Sequence, residues 1–391
     1  HYSDDGPRWA IAGRNREKLE RLRKRLDEEF GGLDDLEILI GDSFDRESLD
    51  AIAKRTKVVC STVGPYAKYG RDLVAACVEQ GTDYCDLTGE VQFIREMIDE
   101  HHVSADESGV RIVCGCGFDS IPSDLGNLVI QDFALRRHGR PCQRVKMFVT
   151  GASGGMSGGT LASLSETLEQ AAKDKELRRM LADPYALNPE GERSGPDGRP
   201  QQGVRYDEDA DAWTGPFMMA PVNEKVVRRT NALLGYEWGR DFRYGESSSF
   251  GGDLKGALTA GGFTAGMAGF TGAMALKPTR RFLEKFVLPD PGEGPSRETI
   301  EEGYFTFEFV GEGIDEEGEA FRVEAKVHAD SDPGYGATAV MIGESAVCLA
   351  LNEIEDGLKG GVLTPGAAMG MRLVERLRDA GMVFEVGGFG D

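Results

Sequence analysis

Apolar and polar positions over the first 120 residues follow two alternating periods. Val58–Val63 is an apolar, β-branched run, and with the short segments Arg8–Gly13, Leu36–Asp42, Asp83–Leu87 and Val110–Gly115 it predicts five strands. Between them, Leu19, Leu22 and Leu26 recur on one helical face, and Arg46–Lys54, Gly70–Gly81 and Val91–His102 also read as helices. A strand that is apolar on both faces needs helices over both sides of its sheet, so the pattern predicts an α/β, doubly wound parallel sheet. Ligands of such sheets settle beyond the carboxyl ends of the strands. That rule places Thr62, Val63, Gly64, Pro65 and Tyr66, which follow the third run, at a ligand site.

Beyond about residue 130 the pattern changes. Val145–Thr150 predicts a strand and Thr160–Ala172 a helix, while Tyr304–Val310 and Glu319–His328 alternate apolar and polar residues as a hairpin with one solvated face. Residues 188–211, rich in Pro, Gly, Gln and Asp, are the candidate for a mobile loop. Ala337–Asn352 and Ala367–Ala380 read as helices. The expected organisation is therefore a nucleotide-type sheet domain at 1–130, a second α+β domain at 131–345, and C-terminal helices at 346–391.

One stretch fits neither period. Gly256–Leu276 carries no charge, is long enough to cross a bilayer, and contains six glycines that make it poor as a spanning helix. Lys277, Arg280, Arg281 and Lys285 follow it, beside Phe282, Phe286 and Val287. Three readings stand: a packed helix hairpin or loop, an interfacial element touching lipid through 256–287, and a true span.

Charge narrows the function. Lys and Arg number 45 against 67 Asp and Glu, a net charge of −22 spread along the chain, which argues against nucleic acid as a partner. The acidic surface would also suit a salt-rich cytoplasm. Seven cysteines, among them Cys60, Cys77, Cys114 and Cys348, sit mostly in apolar runs without a CxxC pair or a secretory signal, so they read as reduced, buried thiols of a cytoplasmic protein. Cys114-Gly-Cys116 has the wrong spacing for zinc, and no metal site is expected.

Several motifs now carry a resemblance. Ala12-Gly-Arg-Asn-Arg-Glu-Lys-Leu19, Val63-Gly-Pro-Tyr66, Gly81-Thr-Asp-Tyr-Cys-Asp-Leu-Thr-Gly-Glu90, Cys114-Gly-Cys-Gly-Phe-Asp-Ser-Ile-Pro-Ser-Asp124, Ser157-Gly-Gly-Thr160 and Gly361-Val-Leu-Thr-Pro365 occur in the order of one family. Together they resemble the saccharopine-dehydrogenase-like oxidoreductases, in the branch that includes trans-acting enoyl reductases of lipid synthesis. The resemblance implies a Rossmann-like fold and a nicotinamide cofactor. It also shows a departure: such proteins open with a strand and a glycine-rich turn that cradles the pyrophosphate. Neither is present before Arg8, and this absence reads as truncation, because losing a central strand would expose two edges.

Within that frame Gly13 and Arg14 end the first visible strand, where an adenosine ribose would lie. An acid there would bond the 2′-hydroxyl of NAD; Arg14, with Asn15 and Lys18, instead suits a 2′-phosphate and implies NADP. Asp42 would lie by the adenine or cap the next helix. Thr62, Val63, Gly64 and Pro65 would run past the nicotinamide ribose. Ser157, Gly158, Gly159 and Thr160, entering a helix, would bind a substrate carbonyl or carboxylate through backbone N–H groups. Tyr66, Asp119 and Ser120 are the candidate proton donors.

The expected function is an NADP-dependent oxidoreductase acting on an enoyl, carbonyl or imine group of a small or lipid-linked substrate. A catalytically silent, lipid-associated binding or scaffold protein and an amino-acid dehydrogenase of the saccharopine type are the alternatives.

Overall fold

The computed structural model describes residues 6–154, 158–286, 294–351 and 357–387. The N-terminal part runs β1 (Ala10–Gly13), α1 (Arg16–Phe30), β2 (Glu37–Ile40), α2 (Arg46–Ala53), β3 (Val58–Ser61), α3 (Tyr66–Tyr69), α4 (Arg71–Gln80), β4 (Asp83–Asp86), α5 (Val91–Ser108), β5 (Arg111–Val113) and α6 (Ile121–His138). The second part begins with β6 (Arg144–Ser153), α7 (Gly158–Lys173), α8 (Lys175–Ala182), β7 (Arg205–Asp207), β8 (Ala212–Gly215), α9 (Ala220–Leu233) and β9 (Arg243–Ser249). It continues through α10 (Leu254–Ala275), α11 (Lys277–Phe286), α12 (Arg297–Glu302), β10 (Tyr304–Ile314), β11 (Ala320–Ala329), α13 (Gly336–Leu351), β12 (Gly361–Leu363), α14 (Pro365–Asp379) and β13 (Val383–Val386).

All five expected N-terminal strands are present and their ladders are parallel, as the doubly apolar runs required. They form two ladders. β1 pairs with β2, while β3, β4, β5 and β12 form a four-stranded sheet in the order β12-β5-β4-β3. The small ladder is held to the larger sheet through α2, which packs on α4. The α2 N-terminus is capped by Asp45, whose side chain accepts from the Ser48 N–H.

The second part is a mixed seven-stranded sheet, ordered β13-β11-β10-β6-β9-β8-β7. Its centre is the expected hairpin: β10 and β11 pair antiparallel from Phe305↔Ala329 to Ile314↔Ala320. Phe305, Phe307 and Phe309 point inward at full burial. α6 packs on β10, β11 and β13 of this sheet and on α9 and α14, with its N-terminal half buried nearly all round. A Cβ on its Gly126 would come within 2.4 Å of the Phe309 ring, so the missing side chain is what lets helix and hairpin approach. Cys85, Val113 and Cys116 from the first sheet share one apolar core with Phe305, Phe307 and Phe309 from the second.

Three expectations need correction. Residues 346–391 are not C-terminal helices alone: β12 extends the N-terminal sheet beside β5, α14 packs on α6, and β13 closes the far edge of the second sheet on β11. The polar excursion 188–211 is anchored rather than loose. Arg228 Nε donates to Asp197 Oδ2 at 2.8 Å, the Tyr244 N–H donates to the same oxygen at 3.1 Å, and residues 205–207 add the edge strand β7. Cys60, finally, is exposed on β3, whereas Cys77, Cys114 and Cys348 are buried as expected.

Residues 256–275 fall within α10, a single 22-residue helix whose start packs on β8 and whose remaining length leaves one side open, and Leu276 caps its end. Among the described residues no helix is long and apolar enough to cross a membrane, which removes the span from the three readings.

Candidate functional site

The carboxyl ends of β3, β4 and β5 form one edge, and three loops descend from it. After β3, Thr62, Val63 and Gly64 are exposed and Pro65 half-buried, so this loop offers its backbone to a ligand. A Cβ on Gly64 would lie 3.7 Å from Ser163 Oγ of α7, which places the second domain's helix directly beside the loop.

After β4 the chain turns through Leu87, Thr88, Gly89 and Glu90. Glu90 is buried, and its carboxylate is fully used. Oε1 accepts from the Tyr66 N–H at 2.8 Å and from Ser163 Oγ at 2.7 Å, and Oε2 accepts from the Ala67 N–H at 2.9 Å. The acid therefore satisfies the first N–H groups of α3 and ties them to α7. Asp86, at the end of β4, is fully buried and accepts from the N–H groups of Thr88 and Gly115 and from Tyr84 Oη. Burial pushes its pKa up to about 7.

After β5, Gly115 to Ser120 returns over the edge. The Phe118 N–H donates to Thr338 Oγ1 of α13 at 3.0 Å, and the Phe118 ring rests on Phe305 and Phe307, so the loop is fixed from below. That packing presents Asp119 to the edge: a Cβ on Gly89 would come within 2.9 Å of Asp119 Oδ2 and 3.7 Å of Met219 Cε. Burial pushes the Asp119 carboxyl up to about 6. Ser120 is buried with its hydroxyl unpartnered among the described residues, 3.2 Å from where a Cβ on Gly115 would sit.

The three candidate donors thus differ in what they can do. Tyr66 is committed: its hydroxyl donates to the Ser61 carbonyl at 3.1 Å and accepts from the Leu87 N–H at 3.3 Å. Burial holds its pKa well above the usual phenol range. Asp119, raised to about 6, keeps its proton to a higher pH than an ordinary carboxyl and lies against the Gly89 backbone. Ser120 faces inward.

The adenosine side lies on the separate β1–β2 ladder. Arg14 and Lys18 are exposed at the carboxyl end of β1 and the first turn of α1. Asn15 caps α1, its Oδ1 accepting from the Lys18 N–H at 3.0 Å, so the helix start is satisfied without Arg14. Gly13 packs on Leu19. Asp42 accepts from the Phe44 N–H at 3.0 Å in a turn that leads to Asp45, the residue that caps α2. Gly158, Gly159 and Thr160 form the first turn of α7, one turn before Ser163; Ser157 lies outside the described residues.

A dinucleotide fits these residues in two halves. Two unshielded cations and a helix start suit a 2′-phosphate, while the exposed Thr62–Gly64 backbone suits a polar ring at the nicotinamide end. A charged hollow of about 580 Å³ among Arg8, Arg16, Glu20, Arg23, Asp35 and Arg55 touches neither half. It is open to solvent and away from the strand ends that bind ligands in this architecture.

Sequence reasoning did not single out Glu90, Ser163, Asp86 or Thr338. A signal existed for the two acids: Asp86 ends a predicted strand and Glu90 directly precedes a predicted helix, and buried acids are almost always paired.

Comparison with known proteins identifies the family and the fold. Residues 1–113 match the saccharopine dehydrogenase NADP binding domain. A Mycobacterium tuberculosis protein with the provisional name trans-acting enoyl reductase is 40% identical over 96% of this chain and 90% of its own length. The Mycobacterium bovis trans-acting enoyl reductase is 38% identical over 98% of this chain and 92% of its own, and the Mycobacterium leprae protein of that name is 37% identical over 97% and 91%. Among solved structures, saccharopine dehydrogenase (L-Glu forming) from Saccharomyces cerevisiae superposes with a TM-score of 0.51 at 12% identity, covering 98% of this chain and 95% of that one, a likeness of fold.

Proposed function

The chain belongs to the saccharopine-dehydrogenase-like family, alongside the trans-acting enoyl reductases, and on that premise we propose that it is an NADP-dependent oxidoreductase reducing an enoyl group on a lipid-linked substrate. The observation that carries the chemistry is Asp119. It is the acid at the strand edge with no hydrogen-bond partner among the described residues, and burial pushes its carboxyl up to about 6, so it is protonated below that pH and a minor fraction keeps its proton at pH 7.

NADPH, when bound, supplies the hydride for the carbon β to the carbonyl. Asp119 then delivers the proton that the α-carbon needs, so the double bond becomes a single bond with both new hydrogens accounted for. Arg14 and Lys18 hold the 2′-phosphate, and Thr62 to Pro65 keep the nicotinamide ribose against backbone. Gly89, having no side chain, lets the Asp119 carboxyl lie against the β4 loop. Met219 gives that edge an apolar wall, which suits an acyl chain and not the dicarboxylate of a saccharopine-type substrate.

Fluorescence titration with NADPH, followed by its consumption in the presence of a 2-enoyl thioester, tests the reading. Saturable binding with turnover that Asp119→Asn abolishes supports it. Absence of NADPH binding overturns it in favour of a silent, lipid-associated binding protein of the same fold.

A further inference from the structure

The longest uncharged stretch of the chain has no role in the site. α10 turns Gly256, Ala260 and Met274 inward, and Phe263 stacks on Phe250 at 5.1 Å. Its other side is bare. Leu254 and Leu258 are 76% and 70% exposed, and Leu276, at the turn into α11, is 61% exposed. A soluble surface seldom leaves so many large apolar side chains together. The intervening glycines Gly261, Gly262, Gly266, Gly269 and Gly272 meet no other atoms within 4 Å of where a Cβ would sit.

α11 adds the second half. Phe282 and Phe286 are 58% and 65% exposed and lie against each other, tilted by 46° with ring centroids 5.2 Å apart. Arg280 is buried and reaches Glu169 of α7 at 3.2 Å, which pins the helix to the body. Lys277, Arg281 and Lys285 stay outward, with Lys285 over the Phe286 ring at 5.2 Å. Residues 254–286 hold five Lys and Arg against a single acid, in a chain whose net charge is −22.

We propose that α10 and α11 together dock the protein on the surface of an anionic lipid bilayer. The apolar side chains enter the acyl boundary and the three outward cations of α11, Lys277, Arg281 and Lys285, pair with phosphate headgroups. Local charge runs opposite to that of the whole protein, which is the complementarity an anionic surface selects. The glycine-rich side offers few pockets or ridges for a partner protein to key into, whereas fluid chains conform to a smooth face. α10 also packs on α7, the helix whose Ser163 borders the candidate site, so the docked face lies one helix from the strand edge.

Flotation of the full chain tests this without reference to its chemistry. Phosphatidylcholine vesicles mixed with phosphatidylglycerol are compared with phosphatidylcholine alone at low and high salt. The protein is expected to float with the anionic vesicles at low salt. K277Q/R281Q/K285Q should weaken that partition about a hundredfold, at roughly fivefold for each cation removed. F282S/F286S should also release the protein, and unchanged circular dichroism and unfolding midpoints will show both variants folded. No flotation, or equal flotation of the triple variant, overturns the proposal. So does a dimer in light scattering that L258D abolishes while the wild-type protein ignores vesicles, because the face then belongs to a second copy of the chain.

Discussion

Ser163 Oγ donates to Glu90 Oε1 at 2.7 Å and so joins the second domain's first helix to the strand edge of the nucleotide-type domain. The same carboxylate holds the N–H groups of Tyr66 and Ala67. One buried acid thus sets both the β3 loop and the position of α7. Glu90→Gln replaces one acceptor oxygen with an NH2 that must face a donor, and the expected cost is about 1–3 kcal/mol. Ser163→Ala should cost about 1 kcal/mol, and the double variant less than the sum, because the two side chains share one interaction. Denaturant midpoints measure all three, and strict additivity would show that the contact contributes nothing.

Asp119 predicts a pH profile. As a proton donor it must be protonated, and its carboxyl is pushed up to about 6, so NADPH-dependent turnover should decline as pH rises through that value. Asp119→Asn should lower kcat by about a hundredfold or more and remove that limb of the profile, with NADPH affinity unchanged. A variant with the same profile as wild type would assign the proton to another group.

Arg14 predicts cofactor choice. A charge-assisted contact to a 2′-phosphate contributes about 1.5–3 kcal/mol, so Arg14→Ala should weaken NADPH binding roughly tenfold to a hundredfold and leave NADH binding little changed. Equal loss for both cofactors would mean that Arg14 only supports the fold. Its exposed position makes that outcome easy to recognise, because stability should not move.

What the sequence made legible followed physical signals that act over short range. β5 is buried throughout and β4 nearly so, while β1 and β2 are readable from short apolar runs although they stay partly exposed, and the ligand edge followed from their parallel order. β12 was not readable: three residues give no period, and its pairing with β5 joins positions far apart in the chain. α6 hid because its N-terminal half is buried nearly all round and shows no amphipathic stripe. α9 hid for the opposite reason. Its Arg228 and Arg229 look like surface cations, yet Arg228 is buried between Asp197 and Glu224 and Arg229 is buried against the Leu187 and Val362 carbonyls. Within the site, Asp119 and Thr62 to Pro65 lie where the strand-end rule puts them. Glu90 did not announce itself, because its partner Ser163 is 73 positions away.

Cys60 predicts selective thiol reactivity. It is the exposed cysteine of the seven, and hydrogen bonding from Cys85 lowers its pKa while burial raises those of Cys77, Cys114 and Cys142. Brief alkylation of the folded protein should therefore modify Cys60 well before the others, as read by peptide mass spectrometry. Cys60→Ser should leave the native protein nearly unreactive. Even labelling across the buried cysteines would contradict the core described here.

Stability should fall as pH rises over a window where many proteins gain it. Asp86 and Asp124 are pushed up to about 7 and Glu246 to about 8, in each case first by burial. Unfolded, these acids ionise near their ordinary values of 3.8 and 4.5. Between those values and the raised ones the folded state holds more protons than the unfolded state, so unfolding free energy decreases with pH until the folded groups ionise. Crowding of like charge at a net −22 acts in the same direction. Denaturant midpoints should drop steadily from about pH 5 to about pH 8. Glu246→Gln isolates one contribution: its oxygen can still accept from Asn223 Nδ2 and its NH2 can donate to Tyr244 Oη, so the network survives without the charge. The variant should lose part of the slope and gain stability above pH 8, and a midpoint that rises with pH in the wild-type protein would refute the assignment of these acids as buried and protonated.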